Sequence, residues 1–261
     1  MLILTFRFTM PSTLKEQAHV HHHLCEPQGR FWQNHVGHAV GRANQAAGAT
    51  VAILDCDPNQ NIVQWAAQRT ERGRAVPFTV RPVPTEATFL DTVDTLRGTA
   101  DYLIIDLEGT ASQLVTYAIS QSDLVLVPFE PTPMEARQAA RAVQLVRNTG
   151  RMMNRNVGHA LLFTKVNAAI QTNDEKDVRK ETEANDIPVL RSAIVRRAAY
   201  TRIFRDGYLL SELLEQARED VKGSTASAQE RILKPLEAAI QNAREYTQEV
   251  VNQLPQQKAA A

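Results

Sequence analysis

Apolar residues recur along this chain in two rhythms. Short runs, VAILD (51–55), FTVR (78–81), YLIIDL (102–107), LVLVPF (124–129) and ALLFTKV (160–166), are too brief for helices and rich in branched side chains. They predict strands, and because most are apolar without alternation, the sheet they form should be covered on both faces. Segments 60–72, 86–97, 111–121, 133–149 and 173–185 carry apolar residues at helical spacing, several opened by Asn, Thr or Pro. Strictly alternating strands and helices predict an α/β fold with a doubly wound, mostly parallel sheet and flanking helices.

After Pro188 the rhythm is helical. RRAAYTRIFRDG and LLSELLEQAREDV precede the breaker-rich KGSTAS, and one more helix follows. On that last segment Ile232, Leu236, Ala239, Ile240, Ala243, Tyr246 and Val250 line up as an apolar stripe. Its polar face mixes Glu237, Glu245 and Glu249 with Arg231 and Arg244, unlike a membrane-seeking basic helix. Packing against the sheet is therefore the expected role, and the tail at 255–261 is expected to fray.

Composition narrows the classes. With 261 residues, 43% hydrophobic, and 29 basic residues against 29 acidic ones, the chain can bury a core without bulk charge drawing it to nucleic acid. Two cysteines, Cys25 and Cys56, lie far apart, which argues against a zinc site, a thiol redox motif or a disulfide scaffold. A cytoplasmic location is expected: no apolar run approaches the roughly 20 residues of a membrane span, and no export signal is legible.

Candidate chemistry sits where open parallel sheets place it, at the carboxyl ends of strands. ILDCDPNQ puts Asp55 and Asp57 there, and LIIDLEGT adds Asp106 and, after it, Gly109. An Asp closing a buried strand can orient a magnesium-bound water beside a phosphate, and a second can position an attacking water. Capping the next helix or turning the chain is the commoner use of a single Asp. Two such clusters on successive core strands favour the chemical role. Trp65 and Phe89 are expected in the core.

GATVAILDCDPNQNIVQWA, DYLIIDLEGTAS, ISQSDLVLVPFEPTPMEARQA and LLFTKVN, in that order, resemble the ParA/MinD family of deviant Walker A ATPases, nearest its plasmid-partition and conjugal-transfer branch. The likeness spans about residues 44–215. It implies a P-loop NTPase-like fold, ATP and Mg2+ as cofactors, and an ATP-dependent dimerisation switch that moves DNA. By resemblance Asp57 or Asp55 would sit by the hydrolytic water, Asp106 would be the carboxylate near magnesium, and Gly109 would lie in a switch segment. Asn167 would contact adenine, with a strand-end turn as its alternative. Arg196, Arg197, Arg202 and Arg205 match a region where relatives touch DNA nonspecifically, with a solvated helix face as the alternative. Implied partners are nonspecific DNA, a ParB-like or transfer-complex protein and a second copy of the chain, with no membrane.

The family also requires a lysine- and glycine-rich phosphate loop after the first strand, and residues 1–48 contain none. MLILTF passes for a first strand, but RFTMPSTLKEQ follows it without a glycine. Back-translation of CEPQGRFWQNHV (25–36) accounts for the gap. Shifted by one base, Trp32 then Gln33 forces glycine, and both Gln28–Gly29 and Gln33–Asn34 force lysine or arginine. One permitted reading is Ala-Asn-Pro-Lys-Gly-Gly-Phe-Gly-Lys-Thr-Thr, the missing loop. The same shift over HVHHHL (19–24) permits a start codon and a first strand. Residues 1–43 are thus expected to be an out-of-frame segment, with a frameshift near Arg42 or Ala43. On this reading His19, His21, His22, His23, His35 and His38 need no metal-binding role.

The expected organisation is an aberrant segment at 1–43, an α/β ATPase domain at 44–221, a C-terminal helix at 222–254 packed on it, and the tail. Without the loop the chain as written is expected to bind ATP poorly, to dimerise doubtfully, and to lack the central strand of its sheet. A non-catalytic adaptor that keeps the fold, with no cofactor, and the product of a frameshifted gene are the alternatives.

Overall fold

The computed structural model describes residues 4–8 (backbone only), 50–82, 85–108 and 112–254. Gly109, Cys25, the six histidines from His19 to His38, the shifted phosphate-loop reading and the tail all lie outside the described residues.

Six strands form one sheet: β1 (Leu4–Phe8), β2 (Val51–Cys56), β3 (Thr79–Pro82), β4 (Tyr102–Leu107), β5 (Leu124–Phe129) and β6 (Gly158–Phe163). Their order across the sheet is β3-β2-β4-β1-β5-β6. Between and after them run α1 (Asn61–Glu71), α2 (Glu86–Arg97), α3 (Gln113–Ser120), α4 (Pro133–Met152), α5 (Asn173–Ala184), α6 (Ala198–Asp206), α7 (Leu210–Asp220) and α8 (Ala226–Gln253).

Strands β2, β4 and β5 are buried along their whole length because helices cover both faces. Val51 and Ile53 point into a core shared with Trp65 of α1, Ile203 of α6, Leu213 of α7 and Tyr246 of α8. Ala52 and Leu54 point the other way, to Phe89 of α2, Ile119 of α3, Val143 of α4 and Val178 of α5. Trp65 is 3% exposed and stacks on Phe78 at 5.6 Å, and Phe89 is fully buried, as expected of core residues.

Two expectations need correction. The central place in the sheet is filled: Leu4–Phe8 lies there. It runs antiparallel to both neighbours, with Thr5 opposite Ile105 on β4 and Val125 on β5. Facing edges of two buried strands present rows of amides and carbonyls that must be paired, and a strand satisfies them in either direction. The sheet is therefore mostly, not wholly, parallel. Ile232 is also 41% exposed although it belongs to the predicted stripe of α8. Leu233 packs against the core in that turn, just ahead of Pro235.

The last predicted strand ends early, at Phe163, because Lys165 takes a left-handed backbone (φ 56°). Val166 then pairs only as an isolated bridge with Val195. Side chains of α8 hold the segment that follows. Glu249 accepts from the amides of Arg191 and Ser192, while Asn242 accepts from the Val195 amide and donates to the Ala193 carbonyl.

Candidate functional site

Asp55 and Asp106 are register partners on adjacent parallel strands, β2 and β4. Strand alternation sends both side chains to the same face at the carboxyl end of the sheet. Asp57 follows in the turn after β2. All three are at most 2% exposed, so the topology gathers three carboxylates in one desolvated place.

Their hydrogen bonds separate their roles. Asp55 Oδ2 accepts from the amides of Ile62 and Val63 at 3.0 and 3.1 Å, and Oδ1 from the Asp57 amide at 3.3 Å. It thereby caps α1, whose own N-cap, Gln60, is left-handed and supplies no side-chain cap. Asp57 Oδ1 accepts from the backbone and side-chain nitrogens of Asn59, which closes the turn, while its Oδ2 has no partner among the described residues. No described side chain bonds either carboxylate oxygen of Asp106, and the amide of Leu107 is the one backbone group that favours its ionised form. Turn and cap duties thus absorb Asp55 and half of Asp57, and among the described residues no such duty falls to the Asp106 side chain.

Electrostatics follow from this crowding. Burial pushes the Asp55 carboxyl up to about 6, even though the amides of Val63, Asp57 and Ile62 favour its ionised form, and the charge of Asp57 adds to the rise. Asp106 is pushed well above the usual carboxylate range, first by burial and then by Asp55 and Asp57. Cys56 between them is held as a thiol, by burial and then by Asp106 and Asp55, so it is no nucleophile. A buried carboxylate that no described side chain claims fits a hydrated divalent cation. No group of three His, Cys, Asp or Glu side chains among the described residues is placed to ligate a metal directly.

A groove of about 410 Å³ opens beside these acids, with Asp57, Glu86, Glu108 and Ser112 on its walls. Among the described residues it is lined by no lysine or arginine, so as it stands it suits a cation and not a bare phosphate chain. The direction of β1 matters here. A phosphate loop would leave the carboxyl end of a parallel central strand, but Phe8 lies opposite Tyr102, at the far end of β4. Four residue steps of strand separate it from Asp106, about 13 Å.

Asn167 lies at the same end of the sheet, after β6, where its Oδ1 accepts from the amides of Ala169 and Ile170. It also lines a pocket of about 490 Å³ with Glu130, Thr132, Lys165 and Arg196. Lys165 is ion-paired with Glu130 and its side chain is only 9% exposed. A buried, paired lysine on a left-handed backbone is a strained arrangement of the sort binding sites carry. The sequence showed Lys165 only as part of a strand and gave no sign of its partner, because Glu130 follows the end of a different strand, β5.

Of the four arginines expected at DNA, Arg202 and Arg205 both hold Asp206, at 3.5 and 2.8 Å, and Arg196 lies 3.9 Å from Glu130. Arg197 is the N-cap residue of α6 and hydrogen-bonds Tyr200. Much of the positive charge on this face is thus answered locally.

Comparison with known proteins places these features in a group. The model of the VirC1 protein family matches residues 38–256. "Protein ParA" of Rhizobium radiobacter is 32% identical over 162 residues, covering 61% of this chain and 71% of that protein. Among solved structures, apo McdA of Cyanthece superposes with a TM-score of 0.54 at 16% identity over 83% of this chain and 96% of its own. MinD in the MinC:MinD cell division complex of Aquifex aeolicus gives 0.55 at 13% identity, over 87% and 93%. At those identities the superpositions establish the fold, a P-loop α/β architecture of ParA/MinD type. No helix among the described residues is long and apolar enough to cross a membrane.

Proposed function

The chain belongs to the VirC1 family, and on that premise we propose that it carries the frame of a ParA-type ATP-dependent switch for DNA partition or transfer, with its phosphate-binding segment lost to a shifted reading frame. The observation that carries this reading is Asp106: a buried carboxylate that no described side chain pairs with, at the end of a core strand beside two further acids. Such an arrangement is destabilising by itself and makes sense as one half of a site whose cations come from elsewhere.

In the complete site Mg2+ would neutralise phosphate charge and bring ordered waters. Asp106 would accept hydrogen bonds from those waters. Asp57, through its unpartnered Oδ2, would orient the attacking water. Asp55 would hold the start of α1, and so the turn that carries Asp57, in place. Gly109 would serve the switch that follows β4. Asn167, with Lys165 and Glu130 behind it, would bound the pocket for the base. Acceleration would come from positioned charge and water. Nonspecific DNA, a ParB-like or transfer-complex protein and a second copy of the chain are the partners this reading implies, in the cytoplasm.

For the chain as written the same reasoning predicts very weak ATP binding, since its sequence spells no lysine- and glycine-rich phosphate loop and the described walls of the groove are acidic. The test is a thermal shift with Mg2+-ATP on two proteins: the chain as given, and a variant whose residues 1–43 are replaced by the one-base-shifted reading. At a hundredfold excess over Kd the ligand adds about 2.7 kcal/mol. For a domain of this size that is a rise of roughly 5–10 °C. The restored variant should show it, and the given chain should move by less than about 1 °C. A full shift in the given chain would refute the loss of the loop. Silence in both proteins would favour the adaptor reading, which the closed sheet built around β1 also supports.

A further inference from the structure

We propose that the outward face of α4 docks duplex DNA through its phosphates, on the side of the sheet opposite α6. Helix α4 carries a single acid, Glu135, in its first turn. Arg137, Arg141, Gln144, Asn148 and Arg151 are all exposed and follow one another at steps of four, three, four and three residues, which stacks them in one stripe. From Arg137 to Arg151 that stripe is about 21 Å long. In a chain whose basic and acidic residues balance at 29 each, this is a marked local asymmetry.

Among the described residues Arg137, Arg141 and Arg151 have no ion-pair partner, whereas Arg202 and Arg205 share Asp206. Free guanidinium groups are the ones able to exchange counterions for phosphate. At the end of the stripe a recess of about 360 Å³ is lined by Arg147, Arg151, Arg155 and Asn156. Arg147 and Arg155 are fixed there by the carbonyls of Asp186 and of Ser120 and Ser122. Arg155, past the end of the helix, also pairs with Asp123 at 3.2 Å, so the unanswered charge of this face is that of Arg137, Arg141 and Arg151.

The chemistry of the face selects the partner. Ala139, Ala142, Val143 and Val146 are packed into the core, so apart from Met134 and Met152 at its two ends α4 exposes no large apolar side chain and no continuous apolar stripe to insert into a lipid surface. Between Met134 and Met152 the exposed side chains are arginine, glutamine, asparagine and alanine, with no aromatic platform of the kind that holds single strands by stacking. Gln144 and Asn148 bond each other at 2.8 Å and keep donors on the same line. A straight row of donors about 21 Å long without a carboxylate fits the dense, regular charge of a duplex backbone.

The inference takes from the proposed function only the class of partner. Its test reads binding without nucleotide, so failure here leaves the nucleotide reading intact. Anisotropy of a labelled duplex of about 25 base pairs, titrated with the full chain over a range of salt, gives the affinity and its salt slope. The triple variant Arg137→Ala, Arg141→Ala, Arg151→Ala should lower that slope by about 2.7, so that between 50 and 200 mM salt it loses about 40-fold less affinity than the parent does. A triple Arg→Lys variant should keep the parental slope, and Arg202→Ala with Arg205→Ala should change affinity less than twofold. The three arginines are exposed and unpaired, so an unchanged melting temperature is expected of each triple variant. The proposal is overturned if the parent does not bind the duplex, or if the alanine triple binds as the parent does. It fails equally if only the α6 variant loses binding, or if polyglutamate or phosphatidylserine vesicles compete as well as unlabelled duplex.

Discussion

The buried acids should make this protein less stable as pH rises through the range in which most proteins gain stability. Asp55 has a folded-state pKa raised from 3.8 to about 6. Between those values the native chain holds a proton that the unfolded chain has released, so stability falls as pH rises. Taken across the full shift, the loss is about 3 kcal/mol, complete above about pH 7. Asp106, also raised, acts in the same direction. Glu212 and Asp206 are lowered and act oppositely, their contribution being lost as pH falls below the ordinary carboxylate range. The difference between parent and variant therefore isolates the site. Urea denaturation of the parent and of Asp55→Asn from pH 4 to pH 8 is the assay, because asparagine still offers an oxygen to the amides of Ile62 and Val63. The variant should lack about 3 kcal/mol of the parental fall and be the more stable protein at pH 7.5. Parallel curves for the two proteins, or a variant less stable than the parent at every pH, would refute the assignment of a strained buried acid to β2.

Two further variants test the packing that holds the site. Arg69 is 1% exposed and its guanidinium bonds Glu212, at 2.7 and 2.8 Å, and the carbonyls of Ala75 and Gly207, tying α1 to the turn between α6 and α7. Glu212→Ala leaves that cation buried without its counter-charge and should cost about 3 kcal/mol in urea denaturation. Asn242→Leu should cost about 2–3 kcal/mol, because it orphans the Val195 amide and the Ala193 carbonyl. Its effect should appear as faster hydrogen exchange at Val195 and along the segment from Leu190 to Arg196.

How much was readable beforehand varies with the range of the interactions involved. Strands β2 to β5 and helices α1 to α5 were legible to within a few residues, since each is written in a local apolar period that packing reinforced. The end of β6 was misread because Thr164 and Val166 continue the apolar run, and only the left-handed Lys165 between them breaks the strand. Ile232 was assigned to the core by period alone, while Leu233 takes that place.

By itself the sequence determined the α/β class, the ordered motifs, the acids at the strand ends and the lack of a phosphate loop, all of which are local spellings. Tertiary structure decided what depends on pairing between distant residues. It set the antiparallel direction of β1, because open strand edges accept hydrogen bonds from either direction. It divided the labour among the three acids, because only the folded turn shows which oxygens α1 and Asn59 occupy. It also showed which arginines are answered by carboxylates and which, on α4, are left to meet charge from outside, since a charge is neutralised by its neighbours in space.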